Sequence, residues 1–172
     1  MPKRKVILNL AVSLDGFIEG PNGEFDWCFG DQDYGMKAFM KSIDSIFMGR
    51  KSYEVALKHE GKNPYPKIIT YVFSSTLKEA VKGTRLVSGN LADEVQRITA
   101  GKGKNIWLFG GASLVTGFLN EGLIDELHLA VHPIILGVGK PLFQGIKGRI
   151  PFKLKGAKTY SSGLVQLFYV KK

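Results

Sequence analysis

The stretch NIWLFGGASLVTGFLNEGLIDELHLAVHPIILGVGKPLF, residues 105–143, joins three physical devices in order. Ile106, Trp107, Leu108 and Phe109 make a short apolar strand, and Gly110 and Gly111 strip the side chains from its carboxyl end. Ala112 and Ser113 then open a helix with Leu114, Phe118 and Leu119 on one face. A strand that ends in glycines beneath a helix N-terminus offers unpaired backbone N–H groups, a partial positive charge and close access to the main chain, a combination suited to phosphate. A second apolar strand, Leu127 to Leu136, follows and stops at Gly137-Val138-Gly139.

Outward from this unit, strands and helices alternate. Lys5 to Ser13 reads as a buried strand, and the Gly/Pro/Asn-rich residues Asp15 to Asp31 read as a long loop of functional character. Met36, Phe39, Met40 and Ile43 fall on one helical face, with a strand from Ser45 to Met48 next. Strands are predicted at Lys67 to Ser74 and Arg85 to Val87, and Asn90 with Asp93 marks a helix start that turns Leu91, Val95 and Ile98 inward. Lys153 to Tyr160 and Leu164 to Val170 pair as a hairpin around Ser161-Ser162-Gly163. This order predicts an α/β domain over residues 1–172: a mostly parallel sheet with helices on both faces and antiparallel strands at its C-terminal edge.

With 172 residues, 44% hydrophobic and 23% charged, the chain can bury a full core without staples. A lone cysteine, Cys28, and no Cys/His cluster at ligand spacing argue for a reducing compartment and against a metal, so a cytoplasmic location is expected. Asn9, Ser13 and Asp15 interrupt the first apolar run, which reads as a strand rather than a signal peptide, and no run approaches the roughly 20 residues that cross a bilayer. The net charge of +9 suits anionic ligands, but no basic helix or nucleic-acid-binding motif supports nucleic-acid binding. Neither nucleic acid nor membrane is expected as a partner.

Ligands of such sheets bind outside the carboxyl ends of the strands. Gly49-Arg50-Lys51-Ser52 follows one strand end, and Ser74-Ser75-Thr76 follows another. With the Gly-Gly turn, these points suit a pyrophosphate-bearing ligand, although the chain carries neither a Walker A loop nor GxGxxG. Cys28 reads as a small packing residue, His59 as a surface residue, and His128 and His132 as sheet histidines on one face, His132 being a candidate pocket residue.

The order SLDGFI, MGRKSYE, a strand with SST, FGGASL and the GLIDELHLAVHPIILGVGKPLF block resembles the dihydrofolate reductase superfamily. It is most similar to the reductase domain of riboflavin-biosynthesis deaminase/reductases, over nearly the whole chain. The resemblance implies an eight-stranded NADPH-binding fold, often a homodimer. It places Gly49, Arg50, Lys51 and Ser52 at the cofactor pyrophosphate and 2′-phosphate, and Ser74 and Ser75 near the 2′-phosphate. Gly110, Gly111, Ala112, Ser113 and Leu114 fall at the pyrophosphate and nicotinamide ribose, with a cis bond between the glycines in the dihydrofolate reductases. Ala11 and Ile18 fall at backbone positions for the carboxamide, Asp15-Gly16 at the start of a mobile loop, and Trp27 before the substrate pocket. A pterin-holding carboxylate would fall near Asp31 or Asp33, Asp33 being the preferred catalytic candidate. The zinc-deaminase half is missing from this sequence. The resemblance thus implies NADPH-dependent hydride transfer to a C=N or C=O of a small heterocyclic or phosphosugar substrate, as in 5-amino-6-(5-phosphoribosylamino)uracil reductase. Dihydrofolate reduction and a non-catalytic dinucleotide-binding module are the alternatives.

Overall fold

Successive apolar residues of the central strands point into two different cores, because side chains alternate across a sheet. Phe47, Tyr71, Ile106 and Leu108 enter one buried cluster, while Ile46, Met48, Val72 and Trp107 enter the other. A sheet that is apolar on both faces must be covered on both. The computed structural model describes residues 3–60, 63 and 65–172; the side chains of His59 and Glu60, and with them the reading of His59, lie outside the described residues.

In chain order the elements are β1 (Val6–Ser13), β2 (Phe17–Glu19), α1 (Met36–Ser42), β3 (Ile43–Gly49), α2 (Arg50–Glu60), β4 (Ile69–Phe73) and β5 (Thr84–Val87). There follow α3 (Leu91–Ala100), β6 (Asn105–Gly110), α4 (Ala112–Asn120), β7 (Glu126–His132), β8 (Lys140–Pro141), β9 (Phe152–Thr159) and β10 (Val165–Lys171). Eight strands form one sheet in the order β5-β4-β3-β6-β1-β7-β10-β9, parallel except for β10 against β7 and β9. The chain moves from β1 to β3 and β4 in one direction across the sheet and from β5 to β6 and β7 in the other. Right-handed crossovers then require the helices of the two journeys to lie on opposite faces. Accordingly Phe39, Met40, Tyr53 and Leu57 of α1 and α2 pack on one cluster, and Val95, Ile98, Val115 and Phe118 of α3 and α4 on the other. This is the expected architecture, mostly parallel with antiparallel C-terminal strands.

Local chemistry explains the helix boundaries. Asn90 caps α3 by accepting from Asp93 N–H at 3.2 Å, as its sequence position predicts. At the amino ends of the strands, buried Arg4 donates to Lys104 O, Ser45 Oγ and Asp44, tying β1 to the start of β3 and the turn before β6.

Three expectations are corrected. The strand predicted to run from Leu127 to Leu136 ends at His132, because Pro133 has no N–H to continue the ladder and Ile134 N–H turns back to His132 O at 2.8 Å. The loop from Asp15 to Asp31 contains β2, which pairs with β8 in a separate two-stranded sheet. Ile43 is the first residue of β3 rather than part of the α1 face, and the seven-residue α1 buries no residue completely.

Candidate functional site

Strand pairing opens a crevice at the carboxyl edge of the sheet. β1 pairs with β6 only from Val6↔Ile106 to Leu8↔Leu108, whereas it follows β7 as far as Ser13↔His132. Beyond Leu8, β1 and β6 therefore part, pinned only by Trp107 Nε1, which donates to Asn9 O at 2.8 Å. The direction of the β1 peptide groups alternates along the strand. Lys5 O accepts from Ile106 N–H on the β6 side, and Val6 O accepts from Asp125 N–H on the β7 side. Continuing that alternation turns the N–H and C=O of Ala11 toward β6, into the crevice. Ile18, on β2, is half-buried against the α3/α4 core.

The opposite wall is the Gly110-Gly111 turn. Its peptide bond is cis, as the resemblance to dihydrofolate reductases implies, and Gly110 has φ +128°, a conformation that side chains disfavour. Gly111 caps α4 with no side-chain hydrogen bond, and the first bond of the helix runs from Val115 N–H to Gly111 O. The N–H groups of Ala112, Ser113 and Leu114 thus lack intrahelical partners, at the positive end of the helix dipole. The turn after β3 stands beside this one: a Cβ on Gly49 would lie 3.5 Å from Gly111 N and 3.6 Å from Leu114 Cβ, and one on Gly111 would lie 3.1 Å from Ser52 Oγ. Two segments read separately in the sequence are thereby one surface.

Arg50 extends from it to a groove of about 440 Å³, lined also by Phe73, Ser74, Ser75, Thr76, Ser88 and Gly89. Arg50 pairs with Glu54 at 3.2 Å on an exposed face. Ser74 Oγ accepts from Thr76 and Leu77 N–H at 3.2 and 2.9 Å, which shapes the turn, and shares a hydrogen bond with Thr76 Oγ1 at 3.4 Å. Ser75 and Lys51 are exposed, Lys51 outside the groove lining.

Beside β1, a cavity of about 330 Å³ lies between Gly20, Glu24, Asp26 and Trp27 on one side and Ile134, Leu136 and Val138 on the other. The indole Nε1 of Trp27 is buried and has no hydrogen-bond partner among the described residues. The loop after β1 is clamped: Ser13 Oγ–H donates to Asp15 at 2.6 Å, and Leu136 and Gly137 N–H donate to the same carboxylate at 3.2 and 2.8 Å. The Ser13 hydroxyl, aided by those amides against desolvation, holds the Asp15 carboxyl below its ordinary value. Burial, reinforced by Asp26, pushes the Cys28 thiol up to about 11, so the thiol is protonated and packs rather than reacts.

Both carboxylate candidates lie just before α1. The N-cap of α1 is Gly35; Asp33, two residues before it, accepts from Lys37 N–H in the first turn through Oδ1 at 3.0 Å, and Asp31 accepts from Tyr34 Oη at 2.7 Å. Both are exposed, and neither is enclosed as a pterin-holding carboxylate would be. Asp33→Asn should therefore keep its folding stability to within about 0.5 kcal/mol, since the Asn carbonyl can accept the same bond from Lys37 N–H. On any substrate found by screening, a collapse in kcat alone would restore Asp33 as catalytic. His128 bonds Glu126 at 3.0 Å and packs on Phe39 and Phe168. His132 has both ring nitrogens bonded to backbone, which leaves it no free nitrogen for a substrate. Among the described residues no cluster of His, Cys, Asp and Glu could hold a metal.

Residues 4–166 match the RibD C-terminal domain family. The chain belongs to that family. It is 45% identical to the uncharacterized protein YyaP of Bacillus subtilis, over 98% of this chain and 96% of that one. A crystal structure of a candidate riboflavin biosynthesis protein from Shewanella sp. PV-4 superposes with a TM-score of 0.87 at 32% identity, covering 98% and 99% of the two chains. A dihydrofolate reductase from Enterococcus faecalis, complexed with NADP(H), superposes with a TM-score of 0.71 at 15% identity, over 98% and 96%. The RibD C-terminal domain is reductase-like, and here it is built on a dihydrofolate-reductase-like fold.

Sequence reasoning did not find the parting of β1 and β6 or the clamp at Asp15. The first leaves no composition signal. The second had one, an Asp-Gly pair facing a distant Gly-x-Gly turn, but nothing in the sequence placed the two together.

Proposed function

We propose that the crevice binds NADPH and that the chain is a reductase acting on a C=N or C=O of a small heterocyclic or phosphosugar substrate. The observation that carries this reading is the convergence at one sheet edge of the crevice where β1 outruns its pairing with β6, a glycine turn under a helix N-terminus without a side-chain cap, and a groove holding Arg50 and several hydroxyls. Each fits a different part of the dinucleotide. The α4 N–H groups and the Gly49 and Gly111 main chain suit the pyrophosphate, while Arg50, Ser74 and Ser75 suit a 2′-phosphate. Ala11 N–H and C=O suit the donor and acceptor of a carboxamide, with Ile18 nearby. The cofactor would supply a hydride. The protein's part is to hold that donor against the acceptor carbon, exclude water and leave protonation to solvent.

The test is a titration with NADPH, followed by its absorbance with aminopyrimidine, dihydropterin and simple carbonyl substrates. Micromolar binding with oxidation by one class supports the reading, and the absence of binding sinks it. Binding without turnover across the set would favour the non-catalytic module. Dihydrofolate reduction draws no support from exposed Asp31 and Asp33.

Homodimerisation belongs to the same proposal. β10 lies between two strands, yet none of its residues is buried, and Leu129 and Val131 of β7 are also only half-covered. A second copy would cover that sheet. Light scattering at micromolar concentration should give about twice 19.0 kDa, and a monomer mass removes the dimer. The expected cytoplasmic location remains part of this proposal; no helix among the described residues is long and apolar enough to cross a membrane.

A further inference from the structure

His132 closes β7 with both ring nitrogens committed to the main chain. Its Nδ1–H donates to Ala130 O at 3.0 Å, and Phe29 N–H donates to Nε2 at 3.1 Å. A donor aimed at Nε2 needs a lone pair there, so the ring is neutral with its proton on Nδ1. The residue is 3% exposed. Trp27 meets it edge to face at 5.3 Å, and Phe29 packs on it at 5.0 Å. Farther along the same segment, Phe29 stacks on Tyr34, whose ring meets Tyr160 at 4.8 Å and whose carbonyl accepts from Gln166 Nε2 at 2.7 Å. Residues 27–34 are thus fastened by His132 at one end and by Tyr34 at the other. His132 pairs in register with Ser13, and the Ala11 side chain lies on the same face, so the segment is fastened beside the crevice.

We propose that His132 is a positioning residue: its neutral ring latches residues 27–34 against the carboxyl end of β1, and protonation of Nε2 from solvent releases them. A proton on Nε2 would set one N–H against another, replacing the bond from Phe29 with a repulsion. The inference rests on the crevice being the cofactor and substrate site, which gives the latched segment its place in the reaction.

The titratable groups on the surrounding elements are Asp15, reached through Ser13, Asp26 just before the segment, Cys28, Asp31, Asp33 and Tyr34 on it, Tyr160 on the hairpin turn with the Lys158 ammonium over its ring, and His128 behind on β7. Among the described residues none forms an ion pair with His132. Burial, opposed by the bond to Ala130, holds the imidazole below its ordinary 6.5. The released ring regains that ordinary value. The latch is therefore at full strength above about pH 6.5 and weakens as pH falls toward the lower value of the closed form.

The test is amide exchange and imidazole nitrogen shifts by NMR on the whole chain, from about pH 7.5 to about pH 4.5, in the parent, His132→Gln and His132→Phe. In the parent, protection of the Phe29 amide, corrected for intrinsic exchange, should fall about tenfold with the same midpoint as the His132 ring. Glutamine offers an acceptor that does not titrate, so protection should stay high throughout. Phenylalanine keeps the ring contacts without the acceptor, so protection should be low at every pH while the melting transition stays cooperative. Flat protection in the parent while His132 titrates, or the same acid step in the glutamine variant, overturns the proposal. A parallel NADPH titration separates the two levels: failure to bind would sink the crevice assignment and leave the latch result standing.

Discussion

Gly111→Ala is expected to weaken NADPH binding by about 100-fold, the equivalent of roughly 3 kcal/mol at the upper end of overpacking costs, while far-ultraviolet circular dichroism shows a folded chain. The added methyl would lie 3.1 Å from Ser52 Oγ, closer than packed atoms sit, at the cap of a helix whose first N–H groups have no intramolecular acceptor. It must displace either the serine or the ligand. Gly49→Ala is the control on the facing turn, because its methyl meets neighbours at ordinary contact distances of 3.5 to 3.7 Å. That variant should keep the parent's melting temperature, so that any loss of NADPH binding in it reports the ligand surface rather than the fold. Normal NADPH binding by a folded Gly111→Ala protein would remove the turn from the site.

Arg50→Ala should cost NADPH affinity about tenfold to a hundredfold and leave NADH nearly unchanged, since hydrogen bonds to a charged partner are worth about 1.5 to 3 kcal/mol and this one lies at an exposed rim. The guanidinium shares a groove with Ser74, Ser75 and Thr76 but is held by Glu54 at 3.2 Å. Binding of a 2′-phosphate must compete with that pairing. Glu54→Gln should consequently strengthen NADPH binding a few-fold, and both effects should shrink as salt rises. If the parent binds NADH as tightly as NADPH, the assignment of this groove to a 2′-phosphate fails.

The sequence was most legible where a feature depends on a local rule. Alternating strands and helices, the Asn90 cap, the closing hairpin and the glycine turns each follow from backbone geometry within a few residues, and the GRKS and GG turns meet because both stand at carboxyl ends of neighbouring parallel strands. What was hidden depends on long-range register. Nothing in VILNLAVS shows that pairing with β6 stops at Leu8 while pairing with β7 runs to Ser13. The short β2–β8 pair joins residues more than 120 positions apart, so turn composition alone could not predict it. Asp33 shows a subtler limit: an aspartate before a helix is the same in sequence whether it caps the helix or meets a substrate, and here its bond goes to Lys37 N–H.

The brief pairing of β1 with β6 also has a mechanical meaning. Four strands lie on one side of that seam and four on the other, and three residue pairs, one indole hydrogen bond and the Arg4 bonds at its amino end stitch the halves together. A molecule wedged between Ala11 and Gly110 would act as a splint across the seam, bracing both half-sheets at once. Its grip would be felt as rigidity of the whole body, with about 2.7 kcal/mol of added resistance to unfolding at a hundredfold excess over Kd. Emptied, the seam is the line along which the molecule should bend first.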